Sequence, residues 1–225
     1  METDEKRLKA TREAAERLHG GDFGYSKGYR FADNASYILF LIGLLIAMLA
    51  VRAFIAEPVR VDGPSMMNTL QDTERCVVEK VSYLIGSPKQ GDIVIVRFPK
   101  RGRTAFVKRV IATAGQTVEL GSELVPDEET GDVRIEHFVL VDGERLDESA
   151  YKDNLLFDEG WQVVPMTCEG SVNGRYTVPE GCIFVMGDHR TNSTDSRTVG
   201  AIRLYDVVGR VRGVMYPLSA ARKVN

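Results

Sequence analysis

The chain has 225 residues, of which 44% are hydrophobic and 27% charged, and its formal net charge is −3. This balance, together with the lack of any dense run of lysine and arginine, argues against a nucleic-acid-binding protein. Three cysteines without a Cys-x-x-Cys pair and three scattered histidines argue against a disulfide scaffold and a zinc site, so we expect no metal and no cofactor.

The N-terminal segment, residues 1–34, is a charged tail. Its apolar positions are sparse, and Glu13 and Arg17 lie four residues apart, which favours a solvent-exposed helix. The acidic residues argue against a cleaved signal peptide, so we expect a short cytoplasmic helix or tail. The glycines between residues 20 and 28 predict a flexible joint after it.

Residues 35–56 are apolar except for Ser36 and Arg52. A segment of about 22 residues at 1.5 Å per residue is long enough to cross a hydrocarbon core of ~30 Å. The alternative is a buried helix of a soluble protein, but this run has no polar face. We therefore predict one transmembrane helix over 35–56. Positive charges flank both of its ends, so the charge pattern leaves its orientation open.

From residue 57 to residue 225 the pattern changes to short runs with period two, separated by turn residues such as Asp142-Gly143 and Asn173-Gly174. Such a pattern predicts a mostly antiparallel β domain, folded as a coiled sheet or barrel. Residues 144–175 have mixed composition and are predicted to form an insertion or small subdomain. The predicted strands cover residues 76–81, 92–98, 105–112, 117–120, 133–141, 176–178, 182–186 and 207–216.

All three cysteines lie in this C-terminal domain, and the candidates for a disulfide are Cys168 and Cys182. They could pair if the domain lies in an oxidising compartment, or they could remain separate thiols. Sequence spacing leaves both alternatives open, because a disulfide requires a particular Cα separation.

Ser65 is a candidate nucleophile on a Gly63-Pro64 turn that closely follows the apolar segment. The alternative is an ordinary turn serine that faces solvent. A serine hydroxyl is a weak nucleophile until a base takes its proton. A hydrolase also needs an oxyanion site, and the backbone amide of Ser65 could donate there, with Gly63 leaving room for close approach.

Lys108 is the best candidate for the base, although His189 also remains possible. In a strand, Lys108 shares a face with Phe106 and Val110, whereas Arg109 points to the opposite face and can stay in solvent. To accept a proton near neutrality the pKa of Lys108 must fall from ~10.4, a change of about 3 to 4 kcal/mol that apolar burial can supply. The alternative is a strand lysine that extends into water.

A polar segment follows the apolar run at residues 182–186. It carries four hydroxyls, two carboxylates and two guanidiniums between Gly187 and Arg197. It is either a solvated loop with a weak surface ion pair or a buried, hydrogen-bonded loop that orients a catalytic group.

Together these segments resemble the type I signal peptidases, which are membrane-bound proteases with a serine and lysine dyad. The resemblance covers the apolar segment and nearly all that follows, in the same order, including a strand-turn-strand segment at residues 138–151. Its most specific parts are residues 63–70 (Gly-Pro-Ser-Met-Met-Asn-Thr-Leu), 91–96 (Gly-Asp-Ile-Val-Ile-Val), 108–112 (Lys-Arg-Val-Ile-Ala) and 187–197 (Gly-Asp-His-Arg-Thr-Asn-Ser-Thr-Asp-Ser-Arg).

The resemblance implies a role for several residues. Ser65 would be the acylated nucleophile, Lys108 its general base, and Ser193 the residue that orients the lysine amine. The Ser65 amide would donate to the oxyanion, and Gly63 occupies a position where some family members add a serine hydroxyl. Met66 would line a substrate pocket.

The same resemblance implies that the loop is held together by Asp188, Asp195 and Arg197. It also implies removal of signal peptides from secreted preproteins after small residues, typically Ala-x-Ala. The N-terminus would be cytoplasmic, and the β-rich catalytic domain would lie outside the cytoplasm on a cell membrane. Secreted preproteins and the lipid bilayer would thus be the partners.

Three features depart from the family pattern: Asn68 replaces the usual proline, His189 the usual asparagine, and Thr113-Ala114-Gly115 the common Gly/Pro turn after the lysine strand. None of these changes removes a catalytic atom. A penicillin-binding enzyme would need a lysine where Asn68 stands, and a self-cleaving repressor would need a DNA-binding N-terminus. The remaining alternative is a catalytically inactive, membrane-anchored binding domain derived from a signal peptidase.

Overall fold

The computed structural model describes residues 2–19, 27–67, 69–99, 101–102, 104–126, 133–152 and 166–224. The chain divides into two compact units, Met1–Leu49 and Ala50–Asn225. The first unit is helical, with α1 over Glu2–His19 and α2 over Lys27–Ala50. The predicted helix in the charged tail corresponds to α1, and the predicted glycine joint at residues 20–26 lies outside the described residues.

The membrane-spanning helix predicted over residues 35–56 is not found. Across the described part of the chain, no helix combines the length and the apolar character that a membrane crossing requires. The regular helix ends at Ala50 and continues as a π-helical turn over Val51–Ile55. Ala56 already belongs to the first strand and pairs with Glu79, so backbone pairing with another strand replaces helical hydrogen bonds at the predicted end of the span.

The second unit is built mainly from strands. They are β1 (Ala56–Arg60), β2 (Arg75–Glu79), β3 (Ile93–Arg97), β4 (Ala105–Thr113), β5 (Thr117–Pro126), β6 (Val133–Val141), β7 (Glu144–Arg145), β8 (Arg175–Thr177), β9 (Cys182–Met186), β10 (Ile202–Arg203), β11 (Val207–Tyr216) and β12 (Arg222–Lys223). The short helices are α3 (Ser82–Ile85), α4 (Ser149–Lys152) and α5 (Ser196–Val199), with 3₁₀ turns at Leu204–Asp206 and Leu218–Ala220.

The larger sheet has the strand order β1-β2-β11-β3-β4-β9-β10, with β12 added beside β11, and its pairs are antiparallel. Its central strand β3 is buried on both faces. Ile93 and Ile95 join one apolar cluster, and Val94 and Val96 join another. Because successive side chains of a strand alternate between faces, the sheet is covered on both sides at this point.

The smaller sheet has the order β7-β6-β5-β8 and is also antiparallel. It is joined to the larger sheet by a shared apolar cluster in which Val118 and Val139 pack with Ile111 and Phe184. The predicted mostly antiparallel β fold is confirmed. Several predicted strands have different ends in the structure, above all the strand predicted at 117–120, which runs to Pro126. The strands β1, β7, β10 and β12 were not predicted, and β1 was missed because it lies at the end of the apolar run.

Residues 144–175, predicted to be an insertion, contribute β7 and α4 in their described part, and residues 153–165 lie outside it. Whether they form a separate subdomain stays a prediction. All three cysteines are free thiols. Cys168 and Cys182 both pack at the cluster that joins the two sheets, so of the two alternatives the structure has the separate thiols.

Candidate active site

Ser65 lies in the turn that follows β1, and its neighbours make that turn rigid. Gly63 has a φ of +95°, a backbone conformation that favours glycine, and its amide donates to Asp72 Oδ1 at 3.1 Å. Met66 and Leu70 are fully buried in the cluster below the turn. The apolar anchors thus hold the serine at the surface of the core, half-buried and in a defined position.

Lys108 is buried on β4, where its side chain is only 1% exposed. Its Nζ lies 2.7 Å from Ser65 Oγ, within ordinary hydrogen-bonding distance. Burial lowers the pKa of Lys108 from 10.5 to about 8, although the carboxylates of Asp195 and Asp188 act in the opposite direction. An amine with this pKa is partly neutral near physiological pH, and the contact provides a path for a proton.

Arg109 is not in solvent, and the sequence-based prediction for this residue is wrong. It is buried and forms a bidentate ion pair with Asp188, with Nε 2.8 Å from Oδ1 and Nη2 2.7 Å from Oδ2. Its Nη1 donates to the carbonyl of Gly91 at 3.0 Å, and its guanidinium lies 4.0 Å from the ring centre of Tyr151. The prediction failed because the segment that carries Asp188 covers this side of β4.

The loop from Gly187 to Arg197 packs against the turn that carries Ser65. The amide of His189 donates to the Ser65 carbonyl at 3.1 Å, and its Nδ1 lies 3.2 Å from the Pro64 carbonyl. The amide of Asp188 contacts Met66 Sδ at 3.4 Å. His189 therefore lies on the backbone of the serine turn, whereas the side chain that contacts Ser65 Oγ is that of Lys108.

Asp195 and Arg197 form a second buried ion pair inside the same loop. Arg197 Nε lies 2.8 Å from Asp195 Oδ1, and Nη2 lies 2.8 Å from Oδ2. Burial by itself would raise the pKa of Asp195, but the hydrogen bonds and charge of Arg197, together with the Gly187 amide and the Ser193 hydroxyl, lower it. Asp195 also accepts from the Gly187 amide at 3.1 Å, so the ionised carboxylate closes the loop on itself.

Ser193, predicted to orient the lysine, lies beside Gly187. Among the described residues its buried hydroxyl has no hydrogen bond of ordinary geometry, although it lies close enough to Asp195 to help lower the pKa of that carboxyl. A Cβ on Gly187 would lie within 3.0 Å of Ser193 and 2.6 Å from the Ser65 carbonyl oxygen. The contact predicted between Ser193 and Lys108 is not among the described hydrogen bonds, and the orienting role stays a prediction.

A cleft of about 300 Å³ opens beside Ser65. Gly63 and Met66 line it near the serine, so Met66 lies where a substrate-pocket residue was predicted. The rest of the lining is apolar with a few polar groups: Val59, Arg60, Val61, Asp62, Ile95, Thr104, Ala105, Phe106 and Val107. Since β1 and β4 both contribute although three strands lie between them in the sheet order, the larger sheet must curl.

Within the described residues, no group of three or more His, Cys, Asp and Glu side chains is placed to hold a metal ion. Asn68, one of the three departures from the family pattern, lies outside the described residues. Sequence reasoning missed Thr69, whose hydroxyl donates to Asp188, and the buried group of Glu148, Tyr151 and Arg190. Only their position in space distinguishes these residues from ordinary polar residues.

Comparison with known proteins supports what the geometry indicates. Residues 34–216 match the family described as signal peptidase, peptidase S26. The chain belongs to this family. Among its relatives, the "Probable signal peptidase I-1" of Synechocystis sp. is 32% identical over 80% of this chain and 81% of that protein. Signal peptidase I of Bacillus licheniformis is 33% identical over 82% and 89%, and signal peptidase I T of Bacillus subtilis is 34% identical over 81% and 85%.

A signal peptidase I from Enterococcus faecalis, known from a crystal structure, is 28% identical in sequence, and the match covers 56% of this chain and 97% of that one. Its TM-score of 0.39 is too low to support a structural conclusion. The resemblance to signal peptidases is confirmed by the family match and by the relatives. Within this S26 family member, the roles of Ser65, Lys108 and the loop residues are taken up below.

Proposed function

We propose that this peptidase removes N-terminal signal peptides from secreted preproteins, with Ser65 as nucleophile and Lys108 as general base. The observation that carries the proposal is the 2.7 Å contact between Lys108 Nζ and Ser65 Oγ at a buried position. The S26 family match and relatives named signal peptidase I support the substrate class.

The pKa of Lys108 makes the base chemically competent. With a pKa of about 8, roughly a tenth of the molecules carry a neutral amine at pH 7. With an ordinary pKa of 10.5 the neutral fraction would be only about one in three thousand. Burial thus supplies a base whose pKa lies near the operating pH, as general base catalysis requires.

The reaction proceeds through an acyl-enzyme. Neutral Lys108 takes the proton of Ser65 Oγ as this oxygen bonds to the carbonyl carbon of the scissile amide. When the tetrahedral intermediate collapses, the C–N bond breaks and the leaving amine takes the proton from the Lys108 ammonium. Lys108 then accepts a proton from water, whose oxygen attacks the ester, and returns the proton to Ser65 Oγ when the acid product leaves.

The oxyanion of the intermediate needs hydrogen-bond donors that are already in place. We assign the backbone N–H of Ser65 to this role, because the turn around it is anchored by Met66 and Leu70. Gly63 has no hydroxyl to add, so it contributes only the close backbone approach that its φ of +95° allows.

The cleft provides a place for an extended peptide. β1 is the end strand of the larger sheet and pairs only with β2 among the described strands. On β4, Ala105 to Lys108 pair with β3, whereas pairing with β9 begins only at Arg109. Both strands therefore have an open edge toward the cleft, and a peptide bound there as an added strand would pass Ser65. We propose that Phe106 in the wall of this cleft limits the side chains bound near Ser65 to small ones.

The alternative is an inactive binding domain derived from a signal peptidase. The contact between Ser65 and Lys108 favours the enzyme, because a binding domain has no need of a buried lysine beside a hydroxyl. The predicted location on a cell membrane, with the N-terminus cytoplasmic and the catalytic domain outside, stays a prediction.

Cleavage of a purified preprotein tests the proposal. The wild type should release the signal peptide, and Ser65→Ala and Lys108→Ala should each abolish release. Ser219→Ala and Lys223→Ala, at exposed positions, are matched controls and should cleave as the wild type does. Undiminished cleavage by both active-site variants would rule out the mechanism, and binding without cleavage by the wild type would favour the inactive domain.

A further inference from the structure

Glu148, Tyr151 and Arg190 form a buried group next to the loop from Gly187 to Arg197, called the catalytic loop below. None of the three lines the cleft. Glu148 and Tyr151 follow the strand β7 of the smaller sheet, whereas Arg190 belongs to the loop that holds Ser65. Arg190 Nη2 forms an ion pair with Glu148 Oε1, and the Tyr151 hydroxyl donates to the same carboxylate oxygen at 3.0 Å. The smaller sheet is thereby tied to the catalytic loop.

Arg190 also binds one peptide group of the loop. Its Nε donates to the carbonyl of Gly187 at 3.0 Å. The same peptide group carries the amide of Asp188, which contacts Met66 Sδ at 3.4 Å. Because a peptide group is planar, a hydrogen bond at its oxygen also fixes the direction of its N–H. Arg190 therefore orients the peptide that touches the residue next to Ser65.

The position of Gly187 leaves little room for movement. Its Cα is so close to the Ser65 carbonyl that an added Cβ would lie 2.6 Å from that oxygen. The backbone of Arg190 is held as well, because its carbonyl accepts from Arg197 Nη2 at 2.7 Å. A rotation of the Gly187 peptide would thus press on the serine turn or withdraw from it.

The charge of Glu148 is what keeps Arg190 in place. A buried guanidinium that loses its carboxylate partner is strongly disfavoured and moves toward water. The ring of Tyr151 packs beside two guanidiniums, with its centre 4.0 Å from that of Arg109 and 5.8 Å from that of Arg190. Burial raises the pKa of Tyr151, so its hydroxyl remains a donor to Glu148.

We infer that Glu148, together with Tyr151, is a positioning element for the nucleophile, which acts on Ser65 through Arg190 and the Gly187 peptide. This inference rests on the proposed function and deepens it. The smaller sheet is then part of the catalytic apparatus, although none of these three residues lines the cleft.

Two substitutions test whether Glu148 positions Ser65 through Arg190 and the Gly187 peptide. Glu148→Gln keeps the shape and removes the charge, and Arg190→Lys keeps the charge but cannot bind Glu148 and the Gly187 carbonyl with one planar group. Each variant should lower kcat on the order of 10- to 100-fold, because a displacement of the nucleophile of about 1 Å has effects of that size. KM should change less than threefold, roughly, since the cleft lining is untouched.

The matched controls are Glu144→Gln, an exposed residue of β7, and Arg203→Lys, an exposed arginine that donates to Tyr205. Both should keep the wild-type kcat. The midpoint of the pH profile provides the readout that separates positioning from general loosening. It should stay near the wild-type value in Glu148→Gln, because Lys108 remains buried and keeps its neighbours Asp195, Asp188 and Arg197.

The inference is refuted if both variants keep the wild-type kcat. It is also refuted if kcat falls and the midpoint of the pH profile shifts toward 10.5, which would show that water has reached Lys108. If neither protein folds, Tyr151→Phe, which removes only the hydroxyl, decides the question by the same two readouts. Activity of the wild type and its loss in Ser65→Ala separate a failure of this inference from a failure of the proposed function.

Discussion

Arg109 and Asp188 form a buried bidentate ion pair, with nitrogen–oxygen distances of 2.8 and 2.7 Å, next to Lys108, the proposed general base. Arg109 is the neighbour of Lys108 on β4, and Asp188 belongs to the loop over the serine turn. The pair therefore connects the strand that carries the proposed base to the loop that holds the proposed nucleophile.

Breaking this pair from one side should destabilise the protein strongly. Asp188→Asn leaves the Arg109 guanidinium buried without its charge partner, which costs about 3 to 5 kcal/mol. The free energy of unfolding in urea measures the loss. Arg212→Ala is the comparison, because its pair with Glu79 is about half exposed on the arginine side and such pairs contribute about 1 kcal/mol or less. Equal losses in the two variants would contradict the structural role of the buried pair.

The pH dependence of cleavage should follow the neutral fraction of Lys108. Since the base must be unprotonated, kcat/KM should rise with pH through a midpoint of about 8 and then level off. The Asp195 carboxylate raises the pKa of Lys108, so Asp195→Asn should move the midpoint to lower pH in any molecules that remain folded. A midpoint near 6.5 in the wild type would instead indicate a histidine base.

Lys108 should lower the stability of the protein while it serves catalysis. Its pKa is about 8 in the folded state and has the ordinary value of 10.5 in the unfolded chain, so the unfolded chain binds more protons between these pH values. Stability should therefore rise with pH from about 8 to 10.5. Replacement by methionine should stabilise the protein by up to about 3 kcal/mol at pH 7, and the gain should shrink near pH 10.

Urea unfolding of the wild type and Lys108→Met at both pH values measures this difference. Lys223→Met, at an exposed position of β12, is the control and should show no comparable gain. A gain that is the same at pH 7 and pH 10 would show that the cost of burying the charged amine is not its source.

A methyl group on Gly187 should damage the site without touching a catalytic atom. In Gly187→Ala the Cβ would meet the Ser65 carbonyl at 2.6 Å and also press on Ser193. Because the serine turn must shift, kcat should fall on the order of 100-fold. Gly43→Ala is the control, since nothing lies within 4 Å of that position. Wild-type kcat in Gly187→Ala would show that the loop and the turn are not packed as described.

Local patterns in the sequence were sufficient to predict most of the longer strands of the β domain. Period-two alternation predicted β4, which is confirmed, and it placed Lys108 on an apolar face. Of the two alternatives left open for this lysine, the structure has the buried one. The same alternation placed Arg109 in solvent, and this was wrong because periodicity assigns a residue to a face without saying what covers that face. The apolar run likewise predicted a helix as far as residue 56, although strand pairing with Glu79 takes over at Ala56.

The amino-acid order by itself determined the types of reactive group and the segments that carry them: a serine on a glycine turn, a lysine in an apolar strand and a polar loop. Only the tertiary structure decided which of them meet. Ser65 and Lys108 are 43 positions apart and meet because the larger sheet curls. Arg109 and Asp188 are 79 positions apart and meet because β4 pairs with β9, where Arg109 lies opposite Met186. The physical reason is that hydrogen-bond geometry and desolvation depend on neighbours from distant strands, which no local pattern encodes.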